Sequence, residues 1–156
     1  MIKPAHTPVH AVGHETDLMP TFLEIAGAIY PEKVVAGPIP ALVGQSLVPV
    51  FSGGTRQRKP IYWEHEGNKA VRDGHWKLVS RFPDTWELYD MEVDRTELHD
   101  LAAAQPERTK SMAAMWDSWA KEIGVQPWPM PQTPPNERTG KMGVPPYLKK
   151  YQTVSE

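Results

Sequence analysis

Between Pro60 and Asp90 the chain reads PIYWEHEGNKAVRDGHWKLVSRFPDTWELYD, and the fold turns on how this stretch is parsed. Ile61, Trp63 and His65 alternate with Tyr62 and Glu64, the period-two pattern of a strand whose successive side chains point to opposite faces. Gly67-Asn68 supplies a turn, and Lys69 to Asp73 reads as a second strand. Asp73-Gly74 is a hairpin signal, because glycine readily takes positive φ, and it leads into a third strand from His75 to Arg81. Pro83-Asp84 turns the chain again before a fourth strand, Trp86 to Asp90. The natural construction is a four-stranded antiparallel meander with Val71, Trp76, Leu78, Leu88 and Trp63 as its expected core. By alternation His65 shares the covered face with Trp63. Such a sheet needs a second layer over its apolar face.

The second layer follows in sequence. Pro106 suits a first helical turn, Glu107 sits at the positive end of the macrodipole, and Gly124 marks the stop, predicting a helix over 106–123. Met112, Trp116, Trp119, Ala120 and Ile123 form its apolar stripe, while Lys110, Asp117, Lys121 and Glu122 fall elsewhere. From Gln126 onward proline recurs too often for a helix or a central strand, so 126–156 reads as an extended tail. Upstream, 1–13 shows no periodicity and reads as a lead-in. Thr16 or Asp17 then caps a short helix over about 17–26, in which Leu18, Phe22, Ile25 and Ala26 recur at helical spacing before Gly27. The segment from Tyr30 to Lys59 is rich in Pro and Gly, with one apolar patch (Leu42, Val43, Leu47, Val48, Val50, Phe51) expected to anchor it by burial. The expectation is therefore an α+β chain in three parts: 1–59, a sheet-plus-helix subdomain over 60–125, and a Pro-rich tail over 126–156.

Composition narrows the function classes. The chain has 156 residues, the size of one domain by the usual range of roughly 100 to 200. Its formal net charge of −2, with acids and bases interspersed, supplies no electrostatic footprint for nucleic acid or an anionic membrane, so neither is expected as a partner. Cysteine is absent, which excludes disulfides and thiolate metal sites. No long apolar run or signal peptide is visible, and the compartment is left open.

Four residue sets can be weighed for chemistry. His6, His10 and His14 stand at i, i+4 and i+8, which on a helix would align three imidazoles for zinc and a small metal-dependent hydrolase; Pro8 and Gly13 argue against that helix. Asp90, Glu92, Asp94, Glu97 and Asp100 lack the glycine and spacing of an EF-hand and read as a solvated turn. Glu64, His65, Glu66, Asn68, Lys69 and Arg72 crowd the first hairpin, where cations and hydrogen-bonding groups suit a polyhydroxylated anion, although charged residues on a strand's wet face need no function. Tyr62, Trp63, Trp76, Trp86 and Tyr89 are either sugar-stacking platforms or, as the packing of cross-strand aromatics favours, parts of the sheet's own core.

Taken together, DLMPTFLEIAG, GQSLVP, WEHEGNKAVRDGHWKLV and WELYD with its following D-x-x-E turn at Asp94-Arg-Thr-Glu97, in this order and spacing, resemble the carboxy-terminal end of a sulfatase. The resemblance spans about His14 to Val125. Sulfatases make a formylglycine nucleophile from the Cys or Ser of a C/S-x-P-x-R motif, and this chain has no Cys and no Ser in that context; Ser52-Gly-Gly-Thr-Arg56 comes nearest but lacks the proline. The resemblance implies that 1–59 closes the catalytic domain of a larger parent, that the sheet and helix pack on that domain, and that His65 and Asn68 line the rim of its substrate pocket. It further implies that formylglycine and calcium belong to the parent and that a sulfated small molecule or sugar reaches this chain only through the parent; whether that parent is periplasmic, secreted or neither is left open. The isolated chain is expected to be inert and to self-associate. The competing expectation is a stand-alone carbohydrate- or protein-binding module without catalysis.

Overall fold

The computed structural model describes residues 8–35 and 37–130. The chain divides into two compact units at Arg58/Lys59, and each is described by itself.

In the second unit four strands, β3 (Ile61–His65), β4 (Asn68–Asp73), β5 (Trp76–Ser80) and β6 (Glu87–Asp90), pair in the antiparallel order β3-β4-β5-β6. The architecture is therefore the α+β arrangement read from the sequence, with α3 (Pro106–Ile123) as the long helix. Register decides the core. Tyr62 pairs with Val71, Val71 with Leu78 and Leu78 with Leu88, so these four side chains form one row on one face. Val71, Leu78 and Leu88 are wholly buried, against Met112, Trp116 and Ala120 of α3. That helical spacing of i, i+4 and i+8 lays one stripe along the sheet. Tyr62 stacks on Trp119 at 5.0 Å between centroids and 10° between planes, and the Trp116 Nε1–H donates to the Trp63 carbonyl at 2.9 Å. Gly124, at φ 77°, ends the helix by donating its N–H to Ala120 O.

Four expectations are corrected here. Trp63 is not in the core: alternation puts it opposite Tyr62, and it is 38% exposed. His65, in phase with Trp63, is exposed as well. Ile61-Tyr62-Trp63 is apolar at every position, so its own pattern has no phase, and pairing through the first hairpin sets it. Ile123 ends up 44% exposed, at the tip of the stripe beyond Ala120. The first turn is also displaced by one residue. It consists of Glu66 (φ 52°) and Gly67 (φ 81°), both left-handed as a two-residue type I′ turn demands, and Asn68 opens β4.

The acidic stretch after β6 is occupied by its own backbone. Asp94 Oδ2 accepts from the N–H groups of Leu98 and His99, and Asp100 Oδ1 accepts from those of Leu88 and Ala102. Glu97 pairs with Lys77. These bonds turn the chain from β6 toward α3, in agreement with a solvated structural turn.

The first unit contains a 3₁₀ turn (Glu15–Asp17), α1 (Leu18–Ala26), a small ribbon of β1 (Lys33–Val34) with β2 (Gly37–Pro38), and a one-turn helix, α2 (Val48–Phe51). Its buried centre is polar. Asp17 is fully buried and meets Arg56 Nη2 at 2.7 Å and Arg58 Nη2 at 3.1 Å. Its carboxylate also accepts from the N–H groups of His14 and Gln45. Thr21, likewise buried, donates to Asp17 O and accepts from the Leu47 N–H. The patch expected to anchor this region by burial is instead half-buried or exposed, with Val43 78% exposed. Polar pairing to Asp17 and Thr21 fixes the segment, and the patch shows no signature of that because hydrophobicity does not report on it. Gly44 lies against the Thr16–Asp17 backbone so closely that a Cβ there would fall 1.9 Å from Thr16 O.

Candidate functional site

The first hairpin spends two side chains on its own geometry. Glu64 Oε1 accepts from the Gly67 N–H at 3.0 Å, and Asn68 donates from Nδ2 to His65 O at 2.7 Å while its Oδ1 accepts from the Phe82 N–H at 3.2 Å. Asn68 thereby ties the turn to the β5–β6 connection. His65 and Asn68, the two rim residues expected from the sequence, face each other across this turn as the last pair of the β3–β4 ladder. The His65 ring is exposed, whereas the Asn68 amide is committed to backbone partners. Arg72 is not part of the group: its Nε–H donates to Gly74 O at the far turn.

Beside the turn lies a cleft of about 360 Å³ walled by Phe82, Trp116, Ala120, Val125, Pro127 and Trp128 and reached by Glu64, Lys69 and Lys121. Strand β4 carries Lys69 onto the helix-facing side of the sheet, where its Nζ sits 4.8 Å from the Trp116 ring centroid and 5.7 Å from that of Trp86. Trp128 packs on the turn itself, and a Cβ at Gly67 would come within 2.7 Å of its Cδ1. Gly67 is thus needed twice, for its φ and for the room it leaves the indole. Sequence reasoning placed Lys69 in the hairpin cluster but gave no reason to join it to Trp128, which lies in the tail and is brought there only by folding.

The histidine reading finds no helix to stand on. His10 and His14 lie in irregular chain before the 3₁₀ turn, His14 Nδ1 accepts from the Thr16 N–H as that turn's cap, and His6 lies outside the described residues. His75, Asp90 and Glu92 bring one ligand atom each within 4.8 Å of one another, but on open surface, with Asp90 Oδ1 already accepting from the Glu92 N–H.

Burial pushes the Asp17 carboxyl upward, but the Gln45 N–H, Arg56, the His14 N–H and the charge of Arg58 together outweigh it and hold it below its usual range. Burial and the hydrogen bond to Glu87 push the Tyr89 phenol up to about 12.

Residues 2–123 match the family described as N-sulphoglucosamine sulphohydrolase, C-terminal. The chain belongs to this sulfatase C-terminal family. An uncharacterized sulfatase of Schizosaccharomyces pombe is 29% identical over 121 residues, covering 70% of this chain and 21% of its own length. The choline-sulfatase of Rhizobium meliloti is 36% identical over 92 residues, 55% of this chain and 17% of its own. Among solved structures, Ps i-CgsB superposes with a TM-score of 0.55 at 27% identity over 67% of this chain and 23% of that one, and it has also been solved in complex with k-i-k-neocarrahexaose. The chain therefore spans about a sixth to a quarter of the length of these relatives. It is a sulfatase-related region with the C-terminal fold of that family.

Proposed function

We propose that this chain forms the carboxy-terminal part of a sulfate-ester hydrolase, where it docks on and stabilises the catalytic domain and presents His65 at the rim of the substrate pocket. One observation carries the docking: α1 is built inside out. It buries Asp17 and Thr21 at its start while Phe22 (61%), Ile25 (62%) and, just beyond, Ile29 (91%) stay exposed beside half-exposed Leu18 and Met19. Leu18, Phe22 and Ile25 share one stripe, and a contiguous apolar stripe on a helix marks a surface to be covered. The family's description as a C-terminal region and the additional length of the relatives support a catalytic portion beside it.

Asn68 acts at the rim by positioning, since its amide holds the turn on which His65 stands. The chain's own residues do not fit the formylglycine or calcium expected of the parent. It has no Cys and no Ser within C/S-x-P-x-R, and Asp94, Glu97 and Asp100 after β6 are engaged with backbone N–H groups and Lys77. Both groups are assigned to the parent's catalytic portion, and no chemical step is assigned to this chain. The test is hydrolysis of an aryl sulfate with added calcium. The purified chain gives no turnover, co-expression with the parent's upstream portion restores it, and turnover by the chain alone would refute the assignment.

A further inference from the structure

We infer that the cleft between the β3–β4 hairpin and the end of α3 is a binding site for an anionic saccharide unit, with Lys69 meeting the anionic substituent and Trp128 the ring face. Three features of the cleft support this. Its volume, about 360 Å³, lies at the small end of the roughly 300–1,000 Å³ typical of small-molecule sites, which suits a ring-sized ligand rather than a length of polymer. Its cations exceed its anions: Lys69 and Lys121 reach it against the single carboxylate of Glu64, one oxygen of which already accepts from the Gly67 N–H. Its walls are aromatic, Trp128 and Phe82 at the turn and Trp116 on the helix.

Lys69 is the telling group. It is half-buried and held against two indole rings, and among the described residues none accepts a hydrogen bond from its ammonium or pairs with it as a carboxylate. An ammonium so placed has given up part of its hydration without gaining an anion, which primes it for a charge-assisted bond to a sulfate or carboxylate oxygen. Gln126, whose Nε2 donates to Gly124 O, keeps its carbonyl oxygen for a hydroxyl, and Glu64 has a second oxygen for another. Indole faces stack on the apolar face of a sugar ring, so charge, hydroxyl acceptors and flat walls together select an acidic sugar over a simple anion. The choice of a saccharide rests on the sulfatase reading, whereas the test below involves no hydrolysis and can fail or succeed apart from it.

The experiment follows the indole N–H signals of Trp116 and Trp128 in the full chain during titration with galactose 6-sulfate, glucuronate, galactose and sodium sulfate. Expected is a saturable shift of both signals by at least one acidic sugar, with a dissociation constant on the order of 1 mM. Galactose should bind about tenfold more weakly or worse, the scale of one lost charge-assisted contact. Lys69→Met should weaken the acidic sugar by a similar factor, and Trp128→Ala should abolish its binding with Lys69 intact. Because Trp128 lies outside the buried core, its variant reads the site even if Lys69→Met unfolds. No shift with either acidic sugar, equal shifts with sodium sulfate, or unchanged binding in Trp128→Ala would overturn the inference.

Discussion

Asp17 shows how much one residue can organise in a chain of this size. Its carboxylate receives two guanidinium groups and two backbone N–H groups from His14, Gln45, Arg56 and Arg58, joining positions up to 41 residues apart in sequence. Replacing it with Ala leaves two largely buried arginines facing each other, a loss of about 3–5 kcal/mol expected for breaking a buried ion pair from one side. The urea midpoint of Asp17→Ala measures this directly. The pH dependence has a definite sign. Because the folded carboxyl titrates below its reference value of 3.8, its stabilisation is complete above that value and is lost as pH falls through the folded one. The gap in midpoint between wild type and Asp17→Asn should accordingly stay level from about pH 7 to about pH 5 and narrow below about pH 4. A level gap down to about pH 2 would show that the folded carboxyl is not held below its unfolded value.

At the scale of elements, the two helices obey the same hydrophobic rule with opposite results. α3 buries its stripe, and Trp116 serves it twice, filling the core beside Met112 and Leu78 and donating to the Trp63 carbonyl. Trp116→Ala should cost about 3–5 kcal/mol. The hydrogen bond accounts for only about 1 kcal/mol of that, so packing dominates. Trp116→Phe separates the two contributions, and a loss as large as that of Trp116→Ala in thermal or urea unfolding would make the hydrogen bond the larger part. α1, by contrast, keeps its apolar stripe outside and holds itself in place through Asp17 and Thr21. Left without a partner, such a face drives association of copies. Sedimentation should therefore show concentration-dependent self-association of the isolated chain, and Phe22→Glu combined with Ile25→Glu should return it to monomer without lowering the unfolding free energy by more than about 0.5 kcal/mol, as befits exposed sites. A wild-type chain that stays monomeric at high concentration removes the docking role from α1.

For the molecule as a whole, the relevant fact is its size relative to its relatives: it spans about a sixth to a quarter of them, in a family named for a C-terminal region. On the proposed docking, the layer that covers a helix polar inside and apolar outside is another domain. The cleft beside the first hairpin, walled by its own subdomain, requires no such completion, which is why its ligand can be sought with this chain alone.

The α+β meander, its turns within a residue or so and the span of α3 were all legible in the sequence, because period-two and 3.6-residue patterns, Gly-bearing turns and a proline start are local signals written into consecutive residues. Membership of a sulfatase C-terminal region was legible for a similar reason, through motifs in fixed order. Three features emerged only on folding. The phase of β3, which sent Trp63 and His65 outward, depended on cross-strand pairing, since Ile61-Tyr62-Trp63 is apolar throughout. The Asp17–Arg56–Arg58 centre joins charges some forty residues apart, a pairing that no local pattern records. The cleft exists because Gly67 makes room for Trp128 and β4 delivers Lys69 to Trp116. Local pattern records which elements a chain forms, whereas long-range pairing energy decides which side chains those elements bring together.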